Sequence, residues 1–267
     1  MKYHALEYVS DRLDALQIPR TYFLCGQFLE AMLSVFGDET IKPLFDSVPN
    51  LIEIADHTYS HNVFKFIPAR SDKSPISVEK IVDEYRYNTM FLSRVFGRDL
   101  RNRGLRTPLG HFRGLTGEYE LVNKLTEEGV LYVSSDLRDK SSSINPPLVD
   151  EDGSLRQPYF YDTRLLEIPS HGWQDTAFCR QSKTPLNTTP PSSYPDIIEY
   201  YHFLISEAVT LSKMSGKDFY LGLVLHPYNI WQYDKPRAMF DDLYQLSLGL
   251  GAEFACYKNV CDQLIRK

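Results

Sequence analysis

The chain has 267 residues and a formal net charge of −6, from 29 Lys and Arg against 35 Asp and Glu. With 43% apolar and 24% charged residues it can bury a core, and a mildly acidic chain without Lys/Arg runs argues against nucleic-acid or anionic-membrane binding. Its longest apolar runs, such as residues 219–225, fall far short of the roughly 20 residues that span a bilayer.

Leu6, Val9, Leu13 and Leu16 lie on one helical face, and Pro19 closes that helix. The apolar run Tyr22-Phe23-Leu24-Cys25-Gly26 predicts a strand, and Leu29, Met32, Leu33 and Phe36 a helix. Residues 51–55 read as a strand, 78–96 as a helix with Ile81, Val82, Tyr85, Leu92 and Val95 inward, and 104–106 as a brief extended piece. A helix over 118–128 and a strand at 130–134 follow. The alternation continues with a strand at 165–168, a helix over 197–214 and a buried strand at 219–225. A helix over 239–248, a short strand at 253–256 and a terminal helix complete it. Long connections over 137–164 and 172–195, rich in Pro, Ser and Asp, have the length of functional loops.

Seven candidate strands alternating with helices imply a parallel sheet of the α/β class, within one domain over residues 1–267. The first element is a helix with no strand ahead of it. The cysteines Cys25, Cys179, Cys256 and Cys261 form no C-x-x-C pair and read as free thiols. With no apolar leader pattern at the N-terminus, the default compartment is the cytoplasm.

In parallel α/β barrels, chemistry gathers on the loops after the strands. Four of the seven histidines fall there: His57 and His61 after 51–55, His171 after 165–168, and His226 after 219–225. Arg106 and Pro108 follow Leu105, and Asp136 follows the strand at 130–134. This concentration predicts one polar site, with His57, His61, Arg106, Asp136 and His226 at one end of a barrel. At a spacing of four, two imidazoles can project from one face of a helical turn and suit a borderline cation such as Zn²⁺. Thr58 stands where H-E-x-x-H would carry Glu. Asp56 has three readings, a further ligand, a hydrogen-bond partner behind the ligands or a helix cap, of which the cap leads. His4, His111 and His202 read as structural residues in helical or loop contexts. His226 ends the most apolar run, where an imidazole requires a partner.

Five local patterns together resemble the polysaccharide deacetylase family, the NodB-homology carbohydrate esterases. Thr21-Tyr22-Phe23-Leu24-Cys25-Gly26 is similar to T-F-F-x-x-G, His57-Thr58-Tyr59-Ser60-His61 to H-T-x-S-H, and Arg106-Thr107-Pro108-Leu109-Gly110 to R-x-P-x-G. Ser135-Asp136 falls where a fourth motif carries aspartate, and Leu223-Val224-Leu225-His226 resembles L-x-H. The resemblance implies a distorted (β/α)7-type barrel and hydrolysis of carbon–nitrogen bonds other than peptide bonds. N-deacetylation of an amino sugar or polysaccharide leads, followed by hydrolysis of a small amide or cyclic ureide. It also implies a divalent metal, usually Zn²⁺, on His57 and His61, with His226 as general acid. Arg106 would hold the catalytic carboxylate and Asp136 would set the ionisation of its neighbours. Trp173, Leu225, Pro108 and His171 are expected on the substrate side. The family's T-F-D-D-G motif, which supplies the base and a third metal ligand, would fall ahead of Met1. The expectation is therefore a chain lacking its first strand, with weak metal binding. A different-class alternative is a non-catalytic glycan-binding homologue.

Overall fold

A computed structural model describes residues 2–101, 104–179 and 189–266. In chain order, helix α1 (Lys2–Ala15) precedes strand β1 (Arg20–Leu24). Helices α2 (Gly26–Phe36), α3 (Asp38–Ile41) and α4 (Pro43–Asp46) lead to β2 (Ile52–Asp56). Helix α5 (Val78–Phe96), β3 (Leu105–Phe112), α6 (Tyr119–Glu127) and β4 (Tyr132–Arg138) follow, and then two short strands, β5 (Tyr159–Phe160) and β6 (Leu166–Glu167). The rest is helical: α7 (Thr176–Cys179), α8 (Tyr194–Ser215), α9 (Pro227–Tyr233), α10 (Met239–Leu250) and α11 (Tyr257–Ile265). None of the described helices is long and apolar enough to cross a membrane.

The helix boundaries follow local chemistry. Helix α5 begins where the Ser77 side chain accepts from the Lys80 N–H and ends at Gly97, whose left-handed φ of 64° closes the last turn. Helix α8 starts three residues earlier than periodicity predicts, because Ser193 caps it and Pro195 occupies its first turn, where a missing N–H is harmless.

The chain packs as two units. The sheet unit comprises Pro19–Ser142, Pro158–Pro169 and Ala255–Lys267. It holds all six strands in the order β1-β2-β3-β4-β6-β5, parallel throughout except for the antiparallel β5–β6 pair. Its core joins Ile81 and Tyr85 of α5, Leu121 and Leu125 of α6, and Leu105 and Val133 of the sheet. At roughly 1.5–3 kcal/mol per buried large apolar side chain, this interior holds the strands in register. The helical unit comprises Met1–Ile18, Ser143–Gln157 and Ser170–Phe254. Val9, Leu13, Trp173, Phe178, Ile197, Tyr201, Ile230 and Met239 form its core.

Three predicted strands need correction. Residues 219–225 and 253–256 enter no strand. The first segment is held by single hydrogen bonds, His171 N–H to Gly222 O and Asp175 N–H to Val224 O, and not by a ladder. Its apolar residues are satisfied by packing: Leu221, Leu223 and Leu225 lie half-buried against the helical core. The brief piece at 104–106 is instead the start of the eight-residue β3. Pro108 and Gly110, which look like strand breakers, sit within β3 where its register against β4 shifts between Arg106 and His111. His111 is accordingly a strand residue. The four cysteines are free thiols.

Behind β4, the Tyr132 ring is buried and its hydroxyl donates to Glu53 at 2.9 Å. The Glu53 carboxylate also accepts from the Thr21 hydroxyl at 2.7 Å and the Lys258 N–H at 2.8 Å. A Cβ on Gly104 would fall on the Tyr132 ring itself. Gly104→Ala should therefore displace a fully packed aromatic and lower unfolding stability by at least the roughly 1–3 kcal/mol of an overpacked core. A denaturant midpoint equal to that of the unaltered chain would show that the sheet absorbs the change.

Candidate functional site

The turn after β2 is the most constrained loop of the sheet unit. Asp56, 3% exposed, accepts the Thr58 N–H at 2.6 Å and the Thr89 hydroxyl from α5 at 3.0 Å. Burial pushes its carboxyl up to about 7 despite these bonds. Thr58 and His61 both adopt φ of +60°, a region that a β-branched threonine rarely enters and that costs on the order of 1–3 kcal/mol per residue. The strain persists because partners surround it. Thr58 Oγ1 accepts the His61 N–H at 3.2 Å, and the Thr58 and Tyr59 carbonyls accept the first N–H groups of α2. Ser60 donates its N–H to Glu84 of α5 at 2.7 Å and its hydroxyl to the same carboxylate.

The histidines thus sit on a bend and not on the helical turn predicted from their spacing, yet they still meet. Their ring centroids are 4.7 Å apart, with the planes at 78°. His57 Nδ1 donates to the Arg106 carbonyl at 2.8 Å; a carbonyl can only accept, so in the neutral ring the lone pair lies on Nε2, the form a metal ligand takes. Asp56 caps this turn, not a helix.

Arg106, Pro108 and Asp136 are buried. The Arg106 guanidinium lies 4.5 Å from the Phe23 ring centroid and 5.5 Å from that of Tyr257, and its Nη2 donates to Ser134 Oγ and the Tyr257 hydroxyl. It is a cation held in an aromatic cage. Asp136 accepts the Arg113 N–H at 2.9 Å, fixing the backbone after β3. Below it lies Glu167 of β6, fully buried. It accepts the Ser135 and Asp136 N–H groups and the Ser135 and Tyr161 hydroxyls. Glu167 escaped sequence reading, its one signal being an acid inside the apolar run 165–168.

In the helical unit, His226 Nδ1 meets Asp175 Oδ1 at 2.6 Å, and Asp175 Oδ2 accepts the His226 N–H. The His226 side chain is 51% exposed and that of Asp175 wholly buried. Asn229 Nδ2 adds a third bond to the carboxylate at 3.2 Å. Asp175 was also missed; it stands two residues after Trp173 in a long loop, 51 positions from its partner. His171 donates from Nε2 to the Arg156 carbonyl at 2.7 Å and accepts the Gly222 N–H on Nδ1. Trp173 is 6% exposed and packs in the helical core, with Leu225 half-buried against it. Among the expected site residues, His57, His61, Arg106, Pro108 and Asp136 thus belong to the sheet unit, and His171, Trp173, Leu225 and His226 to the helical unit. The predicted loop over 172–195 lies partly outside the described residues.

His57 and His61 supply nitrogen donors of the right type for a divalent cation, and the hydrogen bond on His57 orients its ring as ligation requires. No group of three or more His, Cys, Asp or Glu side chains suited to a metal occurs among the described residues, and the Asp56 carboxylate is engaged inward. The residues present fit two positions of a metal shell, fewer than the three protein ligands usual in catalytic zinc sites.

No family model matches the chain, and no curated relative matches it. Solved structures do. A candidate polysaccharide deacetylase from Mycobacterium smegmatis aligns with a TM-score of 0.60 at 19% identity, covering 97% of this chain and 76% of that one. A candidate polysaccharide deacetylase from Pseudomonas aeruginosa PAO1 gives 0.63 at 16%, covering 98% and 73%. This chain has their fold. The Puue allantoinase shares it too, at 0.62 and 17%, covering 97% and 71%.

Two buried histidines set a pH dependence. His111, 2% exposed with no hydrogen bond to either ring nitrogen, is depressed from 6.5 to about 3 by burial and by the nearby Lys65 and Arg138 charges. Burial likewise lowers His171 to about 4. The unfolded chain takes up these protons near pH 6.5, whereas the folded rings do so only near pH 3–4. The histidine contribution to stability therefore falls as pH drops from 6.5, by up to about 1.4 kcal/mol per histidine per pH unit. The buried carboxyls of Asp56 and Glu167, both pushed up by burial, take their protons first in the folded chain and contribute in the opposite sense. Unfolding midpoints measured from pH 7.5 to 4.5 should show His111→Phe gaining stability relative to the unaltered chain as the pH falls. An unchanged slope in that variant would place the proton uptake elsewhere.

Proposed function

We propose that this protein hydrolyses carbon–nitrogen bonds other than peptide bonds, acting on the N-acetyl group of an amino sugar or polysaccharide. The fold it shares with candidate polysaccharide deacetylases and an allantoinase supports this class. The observation that carries the reading is the His226–Asp175 pair. A wholly buried carboxylate at 2.6 Å fixes the half-exposed imidazole and favours the proton on Nδ1, directing Nε2 outward. That arrangement suits a general acid delivering a proton to a departing amine. Arg106, near the start of β3, and Asp136, within β4 and not after it as its position in the sequence suggests, are positioning groups, and Leu225 beside His226 offers apolar surface to an acyl methyl. A divalent cation, Zn²⁺ by its donor type, when bound at His57 and His61 supplies polarisation of the amide carbonyl and activation of water.

A small amide or cyclic ureide is the second substrate class, supported by the allantoinase likeness. A non-catalytic glycan-binding role is favoured by one observation: the two-histidine donor set stops short of a three-ligand site among the described residues.

Acetate release from N-acetylated sugars, measured with added Zn²⁺, should be detectable, and His226→Ala should lower it by roughly 10²–10⁴-fold. Asp175→Asn should reduce turnover while leaving the fold intact by circular dichroism. After dialysis the protein should retain well below one equivalent of zinc. A folded protein without turnover on acetylated sugars, small amides or ureides, yet retained by a glycan matrix, would replace hydrolysis with binding.

A further inference from the structure

We infer that Glu84 is the positioning residue that sets the geometry of the His57–His61 pair, acting through Ser60. It lies on α5, outside the turn, and holds Ser60, the residue just before His61, by two bonds, whereas Asp56 of β2 takes the Thr58 N–H and Glu30 of α2 the Tyr59 hydroxyl. Its oxygens accept the Ser60 N–H at 2.7 Å and the Ser60 hydroxyl, and Asn62 Nδ2 approaches at 3.4 Å.

The mechanical argument follows from the backbone. Thr58 and His61 flank Tyr59 and Ser60 in left-handed conformations, so the natural relaxation of the turn is for one of them to return to negative φ. Asp56 pins the Thr58 side of the turn through its N–H. The His61 side is pinned by the Thr58 hydroxyl at 3.2 Å, a longer neutral bond, and by Glu84 through Ser60. Charge-assisted bonds are the stronger class, so Glu84 restrains the His61 side of the turn more strongly than the Thr58 hydroxyl does. His57 has its own anchor, the Arg106 carbonyl at 2.8 Å. Loss of Glu84 should therefore move His61 and leave His57 in place.

This inference rests on the reading of the two histidines as metal ligands, and the experiment separates the two. Zn²⁺ is titrated calorimetrically into the unaltered chain, His57→Ala, Glu84→Ala and Glu84→Gln, each folded by circular dichroism at the titration temperature. The ring nitrogens of His57 and His61 are followed by ¹⁵N NMR. Glu84→Ala should weaken Zn²⁺ binding by roughly 10–100-fold, the usual effect of removing a group that orients a ligand. The His61 ring signals should shift while those of His57 hold. Glu84→Gln keeps an acceptor for the Ser60 N–H and should recover part of the affinity. If Glu84→Ala binds Zn²⁺ as the unaltered chain does while His57→Ala does not, the role of Glu84 is overturned. If His57→Ala binds as well as the unaltered chain, the metal reading itself falls. Should Glu84→Ala fail to fold, Ser60→Ala removes the hydroxyl bond to the same carboxylate, and unchanged affinity in both Ser60→Ala and Glu84→Gln would equally overturn the inference.

Discussion

The carboxylate of Asp56 closes β2 and opens the turn on which the sheet unit's polar chemistry is built. It takes a backbone N–H from Thr58 on one oxygen and a hydroxyl from α5 on the other. One buried group thereby ties a strand end, a strained loop and a helix together. A buried carboxyl is unfavourable unless its bonds are made, and the upward push on its ionisation records that penalty. The left-handed Thr58 beside it has no local reason to exist. It follows that the loop is over-determined from outside, by Asp56, by Glu84 and by the N-terminus of α2, and that the placement of His57 and His61 derives from these restraints.

The two units use related devices. In each, an acid stands behind an imidazole: Asp175 bonds His226 directly, and Glu84 bonds Ser60, the residue before His61. The direct bond selects the tautomer of His226, leaving Nε2 outward. In the sheet unit the tautomer of His57 is selected by a carbonyl instead, which carries no full charge and cannot titrate. That difference suits different tasks. A neutral imidazole is what ligation needs, and an imidazole beside a carboxylate is what proton delivery needs.

Much of the sheet unit was legible in the sequence because its information is local. Strands β1 and β2 are short and largely apolar, β4 begins in the apolar run at 130–134 and continues to Arg138, and α5 keeps its periodicity over 19 residues between a serine cap and a glycine stop. The resemblance carried by H-T-x-S-H and R-x-P-x-G pointed to the fold that the structural comparisons show. The failures have a common cause in long-range partners. Residues 219–225 have the composition of a buried strand, but that composition is equally satisfied by packing against the helical core, and only the absence of a ladder distinguishes the two. The length of β3 was hidden by Pro108 and Gly110, whose local meaning is a break and whose actual place is a shift in register against β4. Asp175, Glu84 and Glu167 act on residues 51, 24 and 32 positions away; Glu167 carries one local mark, its apolar neighbours, and nothing near Asp175 or Glu84 distinguishes them from surface acids.

His111 and Glu167 show how far burial alone identifies function. Both are titratable, and both lie on the sheet where chemistry would be sought. Glu167 accepts four hydrogen bonds and stitches the end of β4 to β6, so its burial is fully accounted for by structure. His111 makes no hydrogen bond from either ring nitrogen and faces the positive charges of Lys65 and Arg138. Burial first, and those charges after it, keep it neutral down to about pH 3, so it carries no proton to give near neutral pH. His226 is the reverse case, exposed on one side and held on the other. A general acid needs both conditions, a fixed orientation and access to its proton, and His226 combines solvent exposure with a buried carboxylate partner.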